Sequence, residues 1–378
     1  MMQRIKILAL SLCCALMMTS VVASSDALAQ SRQPIPLIVD TDMGTDDWIA
    51  LAYIAKNANI DLRGVTIVGS GLASCAYAAQ NARHILAMSS RNASKPVGCG
   101  SNWPLDGYAS YPKIWRETGS DMMGEMKPRL NVGQSEWDGP TLLATLLNES
   151  STPVDILAIG SLTNIATVLR VAPELKPKIR SIISMGGAVN HAGNLRVHGF
   201  TDGHPNTKAE WNYYIDPVAA KMVFESGVPI TLVPLDATNR VPLTKEFANQ
   251  FDPFVSNPLK AFVQRIFQKI LVSTTNGEYY HWDPLAAAIA ADPALCDQTQ
   301  TMKLTVLAGK GKDEGLAVGQ PREAFPLENF LGQKRNALSE VEAGATVKSE
   351  HGHLIKVCMH VDPAKFENHF LQTMRATE

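Results

Sequence analysis

The chain is most informative at IPLIVDTDMGTDD, the stretch from Ile35 to Asp47. Its apolar start leads directly into an octet, Asp40 to Asp47, that holds four carboxylates, and WIALAYIA, Trp48 to Ala55, follows. A short apolar run, a glycine-containing turn and a second apolar segment predict a buried strand, a loop and a helix. Four carboxylates this close repel one another unless a cation compensates them. Because open α/β sheets bind ligands at the carboxyl ends of their strands, the octet predicts a metal site there.

Three simpler explanations of the octet account for less of it. A helix cap needs one acid, Asp46 or Asp47, which would stabilise the helix by about 1 kcal/mol, and it leaves the other acids without a role. An EF-hand loop needs a glycine at its sixth position, where Thr45 stands, and a closing glutamate that is missing. A phosphotransfer pair would open with Asp40 and Asp42, but the hydroxyl that should follow two residues later is displaced to Thr45. A metal site is the interpretation that uses all four acids.

The first 29 residues have the pattern of a secretory signal peptide. Arg4 and Lys6 precede an apolar stretch from Ile7 to Val22, and Ala27-Leu28-Ala29 fits a small-residue cleavage site before Gln30. The stretch is interrupted by polar residues and is shorter than the roughly 20 apolar residues that span a bilayer. An uncleaved anchor is the alternative. We expect export to a periplasm or full secretion, with no membrane association after cleavage.

Composition limits the partners of the protein. The 378-residue chain has a formal charge of −2, and cleavage after residue 29 removes Arg4, Lys6 and Asp26, a net +1, which leaves −3. Nothing here is basic enough to recruit nucleic acid.

An oxidising destination permits up to two disulfides in three possible pairings, and free buried thiols are equally compatible with a chain of this length. The spacing of the cysteines argues against a zinc site. The four that remain after cleavage are Cys75, Cys99, Cys296 and Cys358.

Strand-like and helix-like segments alternate from Gln30 onward, without a low-complexity linker or a repeat. This alternation predicts one α/β domain, residues 30–378, around a mostly parallel sheet. A late strand is expected at 353–361, before a last helix that Asp362 and Pro363 begin. The other strand candidates are Leu37 to Asp40, Leu62 to Val68, Asp155 to Ile159, Ser181 to Met185, Ile230 to Pro234 and Lys303 to Val306.

Two segments interrupt this alternation. Ser101 to Glu125 is rich in Trp, Tyr, Pro and Gly, and Asn190 to Thr207 is rich in His, Gly and Asn. Both are expected to be long loops, which in a compact domain are usually functional or mobile.

The octet resembles the signature of the inosine-uridine nucleoside hydrolase family, an Asp-x-Asp-x-Gly-x-Asp-Asp turn that holds calcium and binds ribose. Every fixed position matches, and later segments resemble the family's other blocks in the same order over most of residues 34–370. The resemblance implies a Rossmann-like α/β fold, with helices on both faces of a mostly parallel central sheet. It also implies Ca²⁺ as the cofactor, with Asp42 as metal ligand and general base and Asp47 as a ligand. Asp46 would hold the ribose 2′- and 3′-hydroxyls, and Asp40 would orient its neighbours.

Two further blocks resemble the family's remaining metal ligands. ILAIGSLTNIA, residues 156–166, is similar to the strand and turn whose backbone carbonyl faces the calcium, which by position implies the carbonyl of Ile159. A plain buried strand that enters a helix would show the same residue types. YYHWDPLA, residues 279–286, resembles the closing block, in which Asp283 would complete the calcium shell.

The sugar side of the site is implied by Met185, Asn194, Glu210 and Asn212, which match the family's methionine, asparagine and Glu-x-Asn pair. The last two would bind the 5′-hydroxyl end of the ribose. The chain between Asn194 and Glu210 is longer than usual in the family. Ser70 stands where the family commonly has an asparagine on the ribose, and its shorter side chain can still donate one hydrogen bond.

Base preference depends on aromatic residues. In many family members a histidine before the closing aspartate protonates the leaving base, whereas here Trp282 holds that position. This resembles the purine-preferring branch, in which two tryptophans sandwich the base, and Trp103 is the candidate for the second. Trp103 could equally anchor its own loop. His281 is a further candidate acid, one residue away from the expected position.

The function implied is an exported, calcium-dependent hydrolase that cleaves the N-glycosidic bond of ribonucleosides to free base and ribose. Its substrate would be a small-molecule nucleoside, preferably a purine nucleoside, and a calcium-bound water activated by Asp42 would attack it. Family members are commonly dimers or tetramers, so a homo-oligomer is expected. Two alternatives stay open: a secreted nucleoside- or sugar-binding protein without turnover, and a hydrolase of another ribosyl bond, which the loop from Asn190 to Thr207 would allow.

Overall fold

A ten-stranded sheet forms the centre of the computed structural model of this protein, which describes residues 33–105, 111–126, 137–251, 257–274, 279–308 and 342–376. The strands in those ranges are β1 (Ile35–Thr41), β2 (Ile60–Ile67), β3 (Val97–Cys99), β4 (Trp137–Asp138), β5 (Val154–Ile159), β6 (Ile179–Met185), β7 (Ile230–Val233), β8 (Gln298–Val306), β9 (Thr346–Lys348) and β10 (His353–His360).

The apolar run of the opening stretch becomes β1, which lies inside the sheet order β4-β3-β2-β1-β5-β6-β7-β10-β8-β9. Neighbouring strands are parallel from β4 through to β10, and β8 is antiparallel to both of its neighbours. The chain builds outward from β1 through β4 on one side and then continues at β5 on the other side of β1. The carboxyl ends of β1 and β5 therefore form a topological switch point, where such sheets bind ligands.

Helices cover both faces of the sheet because the side chains of each strand alternate between the faces. Leu37 and Val39 of β1 belong to the core cluster that includes residues of α1, α2, α10, α11 and α12, whereas Ile38 belongs to the cluster with α4, α5 and α7. The helices are α1 (Thr45–Lys56), α2 (Cys75–Ala87), α3 (Lys113–Asp121), α4 (Gly139–Glu149), α5 (Thr163–Val171), α6 (Trp211–Ile215), α7 (Pro217–Phe224), α8 (Leu235–Thr238), α9 (Lys245–Ala248), α10 (Pro258–Ser273), α11 (Trp282–Ala291) and α12 (Pro363–Arg375), with 3-10 helices at Pro173–Lys178 and Pro293–Leu295.

The predicted fold class is confirmed, and each expected strand is present. The largest shift in bounds is at β8, which begins at Gln298 rather than Lys303. The last helix begins as predicted, because the Asp362 carboxylate accepts a hydrogen bond from the Ala364 amide. The sequence did not predict the strands β3, β4 and β9, which are too short to give a periodic signal.

The prediction that Ser101 to Glu125 is one long loop is wrong in part, because the segment contains α3. Residues 106–110 of this segment lie outside the described residues. The Glu125 carboxylate holds the end of the segment on α10 through ion pairs with Arg265 (2.9 Å) and Lys269 (3.0 Å). Asn190 to Thr207 is confirmed as a loop, since within residues 137–251 it contains neither helix nor strand.

The disulfide pairing that the sequence left open is resolved. Cys75 at the start of α2 is bonded to Cys99 at the end of β3, with 5.6 Å between Cα atoms. Cys296 is bonded to Cys358 of β10, with 5.7 Å between Cα atoms. Both bonds lie within the compact unit that begins at Ile35.

The predicted signal peptide, residues 1–29, lies outside the described residues. Among the helices that the structure describes, none combines the length and the apolar character needed to cross a membrane.

Candidate active site

The acidic octet spans the end of β1, a tight turn and the start of α1. Met43 in this turn adopts a left-handed backbone conformation, with φ of 58°. Two hydrogen bonds hold it there: its amide donates to Thr41 Oγ1 (3.0 Å), and its carbonyl accepts from the Trp48 indole (2.8 Å). A non-glycine residue in this region is uncommon and clusters at functional sites. The turn is what places the acids around the end of β1.

Asp47 is the most constrained acid of the turn. Its Oδ1 accepts hydrogen bonds from the Thr41 hydroxyl and from the Asp42 amide (3.1 Å). Its Oδ2 accepts from the Gly44 amide at the start of α1 (2.9 Å). One side chain therefore fixes strand end, turn and helix start relative to each other, which leaves its carboxylate in a defined orientation.

Asp46, Asp47 and Asp283 form a cluster that could hold a metal ion. Each offers a carboxylate oxygen, and these oxygens all lie within 4.8 Å of one another. Asp283 comes from the first turn of α11, whereas the other two come from the first turn of α1. Because the amino-terminal end of a helix carries a partial positive charge, both helices favour negative charge at this point.

The electrostatics of the acids favour a cation. Burial and mutual repulsion raise the pKa of Asp46 and of Asp47 to about 6, and they hold the pKa of Asp42 and Asp283 well above the ordinary aspartate value. Buried carboxylates at this separation are costly unless a cation lies between them. Oxygen ligands from carboxylates and a backbone carbonyl are the set that calcium prefers, so these residues fit a hard divalent cation.

Asp42 lies beside this cluster rather than in it. Its Oδ1 accepts a hydrogen bond from the Gly44 amide (3.0 Å). Two glycines crowd its backbone and side chain: a Cβ at Gly71 would lie 2.1 Å from the Asp42 Cβ, and a Cβ at Gly160 would lie 2.8 Å from the same atom. Gly160 follows Ile159, the last residue of β5, which pairs with Thr41 in register. The predicted carbonyl ligand is therefore on the strand next to Asp42.

Asp40, the first acid of the octet, is hydrogen-bonded by side chains of neighbouring elements. Its Oδ1 accepts hydrogen bonds from Thr66 Oγ1 (2.5 Å) and from Asn164 Nδ2 (2.8 Å). The Asn164 amide also donates to the carbonyl of Ile67 (3.0 Å), so it ties α5 to the ends of β1 and β2. Burial raises the pKa of Asp40 to about 7.

The structure brings the four predicted sugar-side residues together. Asn212 Nδ2 donates to the Met185 carbonyl (3.2 Å), and the Glu210 carboxylate accepts from the amides of Gly187 (3.0 Å) and Asn212 (2.9 Å). Asn194 Oδ1 accepts from the amide of Trp211, which lies between Glu210 and Asn212 (3.1 Å). Burial raises the pKa of Glu210 to about 7. The end of β6 and the start of α6 therefore form one polar surface.

The fifth sugar-side candidate, Ser70, follows β2 at the same edge of the sheet. Its hydroxyl is buried, 3.4 Å from the hydroxyl of Ser161 that follows β5. Its carbonyl accepts a hydrogen bond from Arg116 of α3 (3.0 Å).

Comparison with known families agrees with this arrangement. The profile of the family described as inosine-uridine preferring nucleoside hydrolase matches residues 37–368. The chain belongs to this family. It is therefore a hydrolase that acts on nucleosides.

Two relatives of this nucleoside hydrolase differ in how much of their length the match covers, and the name of one specifies a class of base. The pyrimidine-specific ribonucleoside hydrolase RihA of Photobacterium profundum is 32% identical over 250 residues, which cover 66% of this chain and 73% of the relative. Nucleoside hydrolase 3 of Arabidopsis thaliana is 28% identical over 321 residues, 67% of this chain but only 35% of the relative.

Solved structures share the fold of this nucleoside hydrolase. The inosine-uridine preferring nucleoside hydrolase from Bacillus anthracis aligns with a TM-score of 0.69 at 22% identity, over 90% of this chain and 98% of that one. The purine-preferring ribonucleoside hydrolase from Gardnerella vaginalis aligns with a TM-score of 0.64 at 22% identity, over 89% of this chain and 97% of that one.

The aromatic candidates of the hydrolase lie in different surroundings. Trp282 is half-buried; its indole donates to Asn239 Oδ1 (2.9 Å), and its ring packs on Tyr279 (4.8 Å between centroids). The Tyr279 hydroxyl in turn lies 3.4 Å from Asp46 Oδ1, so Trp282 stands next to the acids. Trp103 is 37% exposed on its loop. That loop is anchored where the Leu105 amide donates to the Asp216 carboxylate (2.7 Å).

His281 is not placed to act as the acid of the hydrolase. Its ring is buried in an aromatic cluster, and burial lowers the pKa of the imidazole to about 3. The structure therefore gives no support to His281 as a proton donor to the base. The rings around it belong to Phe247, Phe267, Phe366 and Phe370.

Two polar side chains that the sequence did not single out contact residues of the candidate site of the hydrolase. The hydroxyl of Tyr111 donates to Asn212 Oδ1 (3.2 Å) and is also hydrogen-bonded to the Asp42 carboxylate. Arg116 of α3 binds the carbonyls of Gly69 and Ser70. Both belong to the segment that was predicted to be a loop. The signal that could have revealed α3 is the run from Lys113 to Thr118, which contains neither glycine nor proline.

Proposed function

We propose that this protein is an exported, calcium-dependent hydrolase that cleaves the N-glycosidic bond of purine ribonucleosides to free base and ribose. One observation carries the proposal: the carboxylates at the starts of α1 and α11 converge beside Asp42, at the switch point of the sheet. The polar surface that contains Glu210 and Asn212 lies at the same edge and supplies ligands for a sugar.

The proposed metal ligands are Asp42, Asp47 and Asp283 together with the carbonyl of Ile159. The chemistry that a bound calcium supplies is orientation and polarisation of the attacking water. Asp42 would then accept the proton of that water, since its carboxylate lies beside the cluster and is held by the Gly44 amide. Contacts to the ribose hydroxyls, remote from the breaking bond, would contribute binding energy to the transition state.

Ribose binding is proposed for Asp46 and for the surface around Glu210. Asp46 would accept hydrogen bonds from the 2′- and 3′-hydroxyls, because it is the half-buried acid of the cluster. Glu210 and Asn212 would bind the 5′-hydroxyl end, with Met185, Asn194 and Ser70 lining the sugar. These contacts would strengthen as the ring distorts toward an oxocarbenium-like transition state.

Asp42→Ala tests the core of this proposal. The wild-type protein should release free base from inosine, guanosine, uridine and cytidine in the presence of calcium. Treatment with a chelator should stop the release, and calcium should restore it. Asp42→Ala should lower kcat by at least about 100-fold, the usual contribution of a general base. Nucleoside binding without base release would refute the enzyme, and release that survives the chelator or Asp42→Ala would refute this mechanism.

The purine preference is proposed from Trp282, with Trp103 as its partner across the base. The purine-preferring hydrolase from Gardnerella vaginalis supports it, whereas the relatives named pyrimidine-specific weigh against it. Base stacking on an aromatic ring is worth about 1 to 3 kcal/mol. Trp282→Ala should therefore lower kcat/KM for inosine by about 10-fold or more while changing that for uridine less. Trp282→Phe keeps a stacking face and is the matched control. Faster turnover of uridine than of inosine by the wild-type protein would overturn the preference.

Export and a homo-oligomeric assembly are also part of the proposal. The leader-like first 29 residues support export, and disulfides are typical of proteins in oxidising compartments. We expect the mature chain, after cleavage of the signal peptide, to start near Gln30 and to be found in a periplasmic or culture fraction. Recovery of the full-length chain from the membrane fraction would contradict it.

A further inference from the structure

Tyr111 is held rigidly at the edge of the proposed sugar site. Its ring is buried and stacks on Trp211, with 5.1 Å between centroids and 23° between planes. Leu195 and Tyr214 belong to the same small hydrophobic cluster, and Trp115 packs against it. Packing of this kind fixes the ring, so the position of the hydroxyl does not depend on its own hydrogen bonds.

The hydroxyl of Tyr111 connects two parts of the site. It lies 3.2 Å from Asn212 Oδ1 and is hydrogen-bonded to the Asp42 carboxylate. The Asn212 amide nitrogen already donates to the Met185 carbonyl (3.2 Å), which leaves the amide oxygen as the acceptor. A phenol is protonated at neutral pH, so Tyr111 has one proton to give to two acceptors.

The two acceptors come from opposite sides of the switch point. Asp42 follows β1, and Asn212 lies in α6, after β6. A group that contacts both can transmit the position of the sugar to the general base. Hydrogen bonds to charged groups are among the stronger ones in proteins, so the contact with Asp42 has an energetic weight that a neutral pair would lack.

We propose that Tyr111 is a positioning residue for the hydrolysis, whose hydroxyl couples the general base Asp42 to the sugar-binding Asn212. The inference rests on the proposed function, because it assigns a role within the same site. The ligand that it serves is the 5′-hydroxyl end of the ribose. Removal of the hydroxyl should therefore affect both turnover and recognition of that end of the sugar.

Tyr111→Phe is the direct test, because it keeps the stack on Trp211 and removes only the hydroxyl. We expect kcat/KM for inosine to fall by about 10-fold or more, the effect of one hydrogen bond to a charged group. The fall should divide between a lower kcat, through Asp42, and a higher KM, through Asn212. The ratio of kcat/KM for inosine to that for 5′-deoxyinosine should shrink as well, since the 5′-hydroxyl is then less well bound.

Tyr214→Phe is the matched control. Tyr214 belongs to the same cluster, and its hydroxyl lies 3.1 Å from His204 Nε2. This variant should lose comparable stability and keep the wild-type substrate ratio. Tyr111→Phe could melt at a lower temperature than Tyr214→Phe. The ratio of kcat/KM for inosine to that for 5′-deoxyinosine still tests the role of Tyr111 in that case, because loosened packing lowers the rates with both substrates equally.

The outcomes separate this inference from the proposed function. An active wild-type protein with an unchanged Tyr111→Phe variant overturns the role of Tyr111 and leaves the function intact. A lower kcat with an unchanged ratio of inosine to 5′-deoxyinosine overturns the coupling to Asn212. A wild-type protein that releases no base from any nucleoside refutes the proposed function, and the role of Tyr111 with it.

Discussion

Replacement of Asp283 by alanine is expected to weaken calcium binding strongly and to lower nucleoside hydrolysis with it. Asp283 is the one acid of the cluster that does not come from the octet, and its side chain is buried. Mutation of residues that only support metal ligands typically weakens metal binding by about 10- to 100-fold. Loss of a charged ligand should cost at least about 100-fold in calcium affinity. Calorimetric titration of calcium into chelator-treated protein measures this directly.

Asp283→Asn and Asp292→Ala make the test specific. The asparagine variant keeps the shape of the side chain and removes its charge, so it should lose affinity nearly as much as the alanine variant. Asp292 lies at the other end of α11 and caps a 3-10 helix through the Ala294 amide. Its loss should lower stability slightly and leave calcium affinity unchanged. Calcium binding by Asp283→Ala at the wild-type affinity would show that the cluster is not the metal site.

The sequence predicts well those elements of the fold that short segments determine. The run from Ile35 to Val39 is a strand because it is apolar and short, and Trp48 to Ala55 lies within a helix because its apolar residues continue past the turn. Both signals are local. The register that brings Asp42 next to Ile159 is a property of the whole sheet, and the sequence indicated it only through resemblance to a family.

Other features depended on tertiary contacts that a single sequence does not show. The helix α3 is surrounded by Trp, Tyr, Pro and Gly residues typical of loops, and ion pairs of Glu125 with α10 hold its segment in place. Tyr111 was passed over because its role depends on Asn212, which lies about 100 residues away in the chain. The cysteine pairs could not be chosen because three pairings are compatible with four cysteines.

Without a divalent cation, the protein is expected to become less stable as the pH rises from about 4 to about 7. Burial raises the pKa of Asp46 and of Asp47 to about 6. An acid with a higher pKa in the folded protein stabilises the fold fully below its unfolded value, about 4, and loses this contribution as the pH rises through its folded value. One such carboxyl corresponds to about 3 kcal/mol in the free energy of unfolding.

Calcium should remove this loss, because a cation favours the ionised carboxylates that the metal-free protein disfavours. The measurement is urea unfolding of chelator-treated and calcium-saturated protein between about pH 4 and 7, where the difference in stability should grow with pH. Titration of groups outside the acidic cluster changes the stability of both samples alike, so its effect cancels in the difference. Such groups are the buried His204 and His281, whose pKa values are lowered, and Glu210, whose pKa is raised to about 7. A calcium effect of the same size at every pH would contradict the assignment of Asp46 and Asp47 to a buried, mutually repelling cluster. The sign of the slope therefore tests the electrostatics of the site without any measurement of turnover.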